Sequence, residues 1–128
     1  MFCMKKIQTE HAPAAIGPYS QAVEAAGLLF VSGQIPLDPK TGKLVEATIE
    51  AQTRQVLANI EAVLHAAGLS WKNVVKTEVF MKDLQQFKEM NALYAEKFPH
   101  EIKPARQTIQ AARLPMDVLI EISCIAKT

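Results

Sequence analysis

Glu121 sits inside the apolar run Val118-Leu119-Ile120-Glu121-Ile122, where a carboxylate must meet water, a cation or a ligand because an unpaired buried charge is costly. Strand alternation groups it with Leu119, Ser123 and Ile125 and puts Ile120, Ile122, Cys124 and Ala126 on the other side. A structural salt bridge or a solvent-facing strand position are the alternatives to a ligand contact. Arg106 opens the preceding extended segment just after Pro104, and the same alternation places it with Thr108 and opposite Gln107. Its planar fork suits a small carboxylate through two parallel hydrogen bonds, although arginines at strand starts are more often surface residues. Tyr19 and Ser32 offer hydroxyls, which more commonly serve packing or turn chemistry. Cys124 falls on the apolar side and reads as a small core residue rather than a nucleophile.

Other local signatures are missing. The chain has no GxSxG elbow, Walker loop, GxGxxG element or HExxH helix. Cys3 and Cys124 lie near opposite ends, and His11, His65 and His100 are isolated in sequence, so the spacing offers no metal-ligand set. A reducing, cytoplasmic location fits that cysteine usage.

The elements that must position these groups can be read from periodicity and punctuation. Residues 11 to 19, HAPAAIGPY, carry two prolines and a glycine and predict an irregular loop ending at Tyr19. The run 27 to 34, GLLFVSGQ, predicts a buried strand, and Pro36, Asp38, Pro39 and Lys40-Thr41-Gly42 a turn. Between Thr48 and Ala67 the apolar residues Ile49, Val56, Ile60 and Val63 recur at helical spacing, widened by Leu57 and Leu64 and stopped by Gly68. Residues 74 to 82 alternate, with Val75, Thr77, Val79 and Met81 on one face and Lys76, Glu78 and Lys82 on the other, a polar face broken by Phe80. A second helix carries Phe87, Met90, Leu93, Tyr94 and Phe98 on one stripe. Two strands follow, near residues 106 to 112 and 118 to 126, joined by a turn at Leu114-Pro115-Met116-Asp117.

That order predicts one α+β domain spanning residues 1–128, a mixed sheet with helices on one face. No third long helix is available for the other face, so self-association is the natural inference, with a solvated antiparallel face as the alternative. A length of 128 residues suits a single core without staples. The 14 basic and 13 acidic residues are interspersed and leave a formal net charge of +1, which argues against nucleic acid or a membrane surface as the main partner. Leu28-Leu29-Phe30-Val31, the longest apolar run, is far short of the roughly 20 residues of a spanning helix. The first residues lack the apolar middle of a secretory signal, and Met4 offers a second possible start after Met1.

From Met4 onward the chain resembles the reactive-intermediate deaminase (RidA) family. The resemblance rests on APAAIGPYSQAV at 12–23, VSGQIPLDPKTG at 31–42, AQTRQVLANIEAVLHAAGL at 51–69 and VVKTEVFMKDL at 74–84. Its strongest element is PARQTIQAARLP at 104–115 followed by LIEI at 119–122, which contains both Arg106 and Glu121.

Such a resemblance implies a chorismate-mutase-like α+β subunit that assembles as a homotrimer, with ligand clefts between neighbouring subunits. It implies that Arg106 binds the ligand carboxylate, with Tyr19, Ser32, the Gly33 backbone, Phe87, Asn91, Thr108 and Glu121 around it. The implied reaction is hydrolysis of 2-imino acids, such as 2-iminobutanoate and 2-iminopropanoate, to 2-oxo acids and ammonia, without a cofactor. Many relatives carry a small residue and then a cysteine after the signature arginine, whereas this chain has Gln107 and Thr108. Thiol chemistry at residue 108 is thereby excluded, and a water-based route survives. Alternation turns Gln107 away from the Arg106 face and keeps Thr108 on it. Two rivals stay open: a non-catalytic module that senses 2-oxo acids through the same site, and an RNA-directed protein, which the charge balance disfavours.

Overall fold

The computed structural model describes residues 3–128; the reading of Met1 as a start lies outside them. Six strands form one mixed sheet: β1 (Lys5–Ile7), β2 (Ala22–Ala25), β3 (Leu28–Gln34), β4 (Val74–Met81), β5 (Ala105–Gln110) and β6 (Ile120–Lys127). Their spatial order is β1-β2-β3-β6-β4-β5, and only the β4–β5 pair is parallel. Helices α1 (Ile49–Ala66) and α2 (Phe87–Lys97) cover one face. The predicted α+β architecture is therefore present, with β1 and β2 added; at three and four residues they are too short for periodicity to reveal.

Helix α1 begins and ends where its sequence dictates. The Thr48 hydroxyl accepts a hydrogen bond from the Ala51 amide at 3.1 Å, an N-cap that satisfies one orphan donor. At the other end Gly68 takes φ +75°, and the Leu69 and Gly68 amides donate back to the Leu64 and His65 carbonyls, each at 2.9 Å. Its buried stripe includes Ile49, Val56, Leu57, Ile60, Val63 and Leu64. These pack against the inward residues of the central strands, among them Leu29, Val31, Val79, Ile120 and Ile122. Two buried polar residues on α1 act as staples: the Gln52 carbonyl accepts from the Leu119 amide at 2.8 Å, and the Asn59 amide donates to the Ile35 and Leu37 carbonyls.

The phase of β4 differs from the expected one at its start. A register irregularity between Val74 and Lys76 turns Val74 into the core and leaves Val75 46% exposed, so Val75 does not share a face with Thr77, Val79 and Met81. One inserted residue shifts the alternation by one, and a strict period of two cannot see it. Past the irregularity the alternation holds, and Lys76, Glu78 and Phe80 lie on the face away from the helices. That face also carries Phe30, Glu121, Ser123, Ile125, Gln107 and Ile109, and neither helix covers it.

Candidate active site

Arg106 pairs with Thr77 across the β4–β5 ladder and therefore points to the helix side. Its Nη1 donates to Asn91 Oδ1 at 2.6 Å, and its guanidinium carbon lies 4.7 Å from the Tyr94 ring centroid and 5.3 Å from that of Phe87. All three partners come from one stripe of α2, which presents residues three and four apart to the same neighbour. The Tyr94 hydroxyl is in turn 2.8 Å from the Thr77 hydroxyl, a buried pair that fixes the ring. Burial raises the Tyr94 phenol above its ordinary value, against the opposing influence of the Thr77 bond and the nearby Arg106 charge. Among the described residues no carboxylate pairs with Arg106, and Asn91 is its one hydrogen-bond acceptor. An arginine oriented by an amide and two rings, with most of its donors unspent, is preorganised for an incoming anion.

Glu121 lies on the opposite face of the sheet. It pairs with Phe80 of β4, and its carboxylate occupies the space that a side chain on residue 33 would need, so Gly33 and Glu121 are in direct contact. Any Cβ at Gly33 would collide with that carboxylate. Burial raises the Glu121 carboxyl above its ordinary value. It has no ion pair or hydrogen bond among the described residues, so the structural salt bridge expected as an alternative finds no partner among them.

Ser32 and Gly33 occupy an irregularity in the β3–β6 ladder, between the pairs Val31–Cys124 and Gln34–Ile122. The Ser32 hydroxyl is engaged, donating to the Ser20 carbonyl at 2.6 Å, while its amide donates to the Gln21 carbonyl at 2.9 Å. These bonds dock the loop that carries Tyr19, a residue 54% exposed. Gln21 locks the rest of that loop: its side chain accepts from the Thr9 amide at 2.7 Å and donates to the Pro13 carbonyl at 2.8 Å. A cavity of about 440 Å³ beside the loop is lined by Tyr19, Ser20 and Gln21 and contains neither Arg106 nor Glu121.

The residues singled out from sequence thus fall into two groups within one chain. Arg106, Phe87 and Asn91 meet on the helix side, together with Tyr94, which sequence reading assigned only to a helix stripe. Glu121 and Gly33 meet on the open side, with Ser32 and the Tyr19 loop adjoining them. Thr108 pairs with Val79 on the Arg106 side, and its hydroxyl is buried without a partner among the described residues. Gln107 pairs with Glu78 and so shares the open face with Glu121. Cys124 is buried on the core side and its thiol is pushed up to about 12 by desolvation, far from a reactive thiolate. Among the described residues no cluster of three or more His, Cys, Asp or Glu side chains is arranged to hold a metal ion.

A six-stranded mixed sheet backed by two helices defines a small α+β protein that carries an oriented arginine fork on one face of the sheet and a desolvated carboxylate on the other. The chain belongs to the Rid family: the family described as Endoribonuclease L-PSP matches residues 9–128. It is 51% identical over 124 residues to the 2-iminobutanoate/2-iminopropanoate deaminase of Salmonella typhimurium, covering 95% of this chain and 96% of that protein. A Rid-family protein of unknown function from Yersinia pestis has the same fold, with TM-score 0.96 and 48% identity over 98% of this chain and 100% of that one. The structure of E. coli TdcF with bound serine is also similar, with TM-score 0.91 and 43% identity over 97% and 98% of the two chains.

Proposed function

We propose that this protein hydrolyses reactive 2-imino acids, including 2-iminobutanoate and 2-iminopropanoate, to 2-oxo acids and ammonia. The carrying observation is the Arg106 guanidinium, oriented by Asn91, Phe87 and Tyr94 and without a carboxylate partner among the described residues. Arg106 clamps the substrate carboxylate and thereby fixes the imine carbon at one place. Glu121 orients a water molecule and takes its proton as the oxygen adds to the C=N carbon. That proton passes to the nitrogen to give the carbinolamine; the hydroxyl proton then follows to the nitrogen through the same carboxylate, the C–N bond breaks, and ammonia leaves as the carbonyl forms. A carboxyl raised by burial is a better base near neutrality than an ordinary glutamate, at roughly 4.3. No cofactor enters these steps.

Because Arg106 and Glu121 occupy opposite faces of one sheet, the proposed cleft takes them from two neighbouring subunits of a homotrimer joined through the open face. The apolar side chains of Phe30, Phe80, Ile109 and Ile125 on that face support such a contact. The free thiols of Cys3 and Cys124 suit a reducing compartment, the cytoplasm. The deaminase named in Salmonella and the serine bound in TdcF support a small amino-acid-derived ligand.

A dehydratase that converts threonine to the imine, with the imine trapped as semicarbazone, supplies the test. Addition of this protein should speed loss of the imine; unchanged decay would sink the deaminase reading. Binding of 2-oxo acids without turnover would identify a sensing module instead. An RNA-cleaving role, which the family's endoribonuclease wording suggests, finds weak support in a formal net charge of +1. Salt-dependent binding to single-stranded RNA at physiological ionic strength would reverse that judgement.

A further inference from the structure

Arg106 and its partners Asn91 and Tyr94 border a pocket of about 350 Å³ that extends past the clamp to residues the proposed hydrolysis does not call on. Asn91, Tyr94, Phe98, Lys103 and Pro104 line it together with Arg106, and no acidic side chain does. Lys103 is the second cation there. Its ammonium donates one hydrogen bond to the His100 carbonyl at 2.6 Å, which anchors it and leaves two protons unspent. Neither Lys103 nor Arg106 forms an ion pair among the described residues. Lys103 and Arg106 are three residues apart and so at most roughly 10 Å apart at Cα, with long side chains that can close on one ligand. Tyr94 and Phe98 add apolar wall to the same pocket.

We infer that this pocket admits a second anionic group, so that the protein accepts dicarboxylic 2-imino and 2-oxo acids, with Lys103 as the residue that selects them. The inference rests on the reading of Arg106 as the carboxylate clamp. Lys103 and Arg106 then share one dianion, Arg106 by its planar fork and Lys103 as a point charge. Being exposed, Lys103 contributes a modest, salt-sensitive preference.

Calorimetric titration of the intact protein with 2-oxobutanoate, 2-oxoglutarate and phenylpyruvate tests this. At low ionic strength 2-oxoglutarate should bind about fivefold more tightly than 2-oxobutanoate, an advantage within the range of one exposed charge pair. That ratio should fall toward one at high salt and in Lys103→Met, and persist in Lys103→Arg. Equal affinities in the wild type, a ratio unchanged in Lys103→Met, or phenylpyruvate binding more tightly than 2-oxoglutarate would each overturn the inference while leaving the clamp intact. If 2-oxobutanoate fails to bind, or binds Arg106→Lys as well as the wild type, the clamp itself fails and the dicarboxylate pocket falls with it.

Discussion

Arg106 and Glu121 make opposite demands on a substitution. Replacing Arg106 by lysine keeps the charge and removes the planar fork, the Asn91 bond geometry and the ring stacking, so kcat/KM should fall by about 100-fold or more. An Arg106→Lys enzyme near wild-type activity would remove the clamp from the mechanism. For Glu121 the direction of its shift sets two linked outcomes. Its folded-state carboxyl is raised, so it favours folding most at low pH and that contribution is lost as pH rises through the raised value. Glu121→Gln should therefore melt higher than the wild type at pH 7, by an amount that shrinks below about pH 4. Wild-type activity should rise as the carboxyl deprotonates, and the same variant should lose that rise. Both residues were conspicuous in the sequence, one by an ionised group in an apolar strand and one by its place after Pro104. Tyr94 was not, because a tyrosine on an apolar helix stripe looks like core until the Thr77 and Arg106 contacts are seen.

Among the elements, the long helix was legible to within a residue because its caps are chemical: Thr48 at one end and Gly68 at the other. Strand faces were legible where the strand itself carries no extra residue, as in β6, and failed at Val75, where one extra residue breaks the count. Polar staples such as Gln21, Gln52 and Asn59 escape periodicity altogether, since each works by a bond to a segment distant in sequence. Gln21 offers the clearest test. Gln21→Ala leaves the Thr9 amide and the Pro13 carbonyl without their partner and should destabilise by about 2 kcal/mol in urea unfolding. It should also weaken ligand binding if the Tyr19 loop borders the cleft; unchanged unfolding and binding would make the lock dispensable.

For the whole molecule, the α+β layering followed from the order of strands and helices, and the shortage of helices pointed to a bare face that the structure contains. What the sequence could not convey is that the two candidate groups sit on opposite sides of that sheet. Their faces depend on how β4, β5 and β6 register with one another, and each strand read alone leaves this free. Sedimentation equilibrium should give three chains per particle for the wild type. Phe80→Glu places a charge beside Glu121 on the proposed contact face and should lower the mass toward one chain, with activity lost in parallel. A Phe80→Glu protein that stays trimeric would move the interface elsewhere.

The separation of Arg106 from Glu121 also has a consequence for inheritance. On the proposed assembly each cleft draws its arginine from one subunit and its glutamate from the next, so two dead alleles need not make a dead mixture. Co-expressed Arg106→Lys and Glu121→Ala chains, each inactive alone, should combine at random into trimers in which about a quarter of the clefts carry both intact residues. A cell holding both alleles would regain imine clearance that neither allele supplies, whereas a chain carrying both changes would poison its neighbours' clefts on either side.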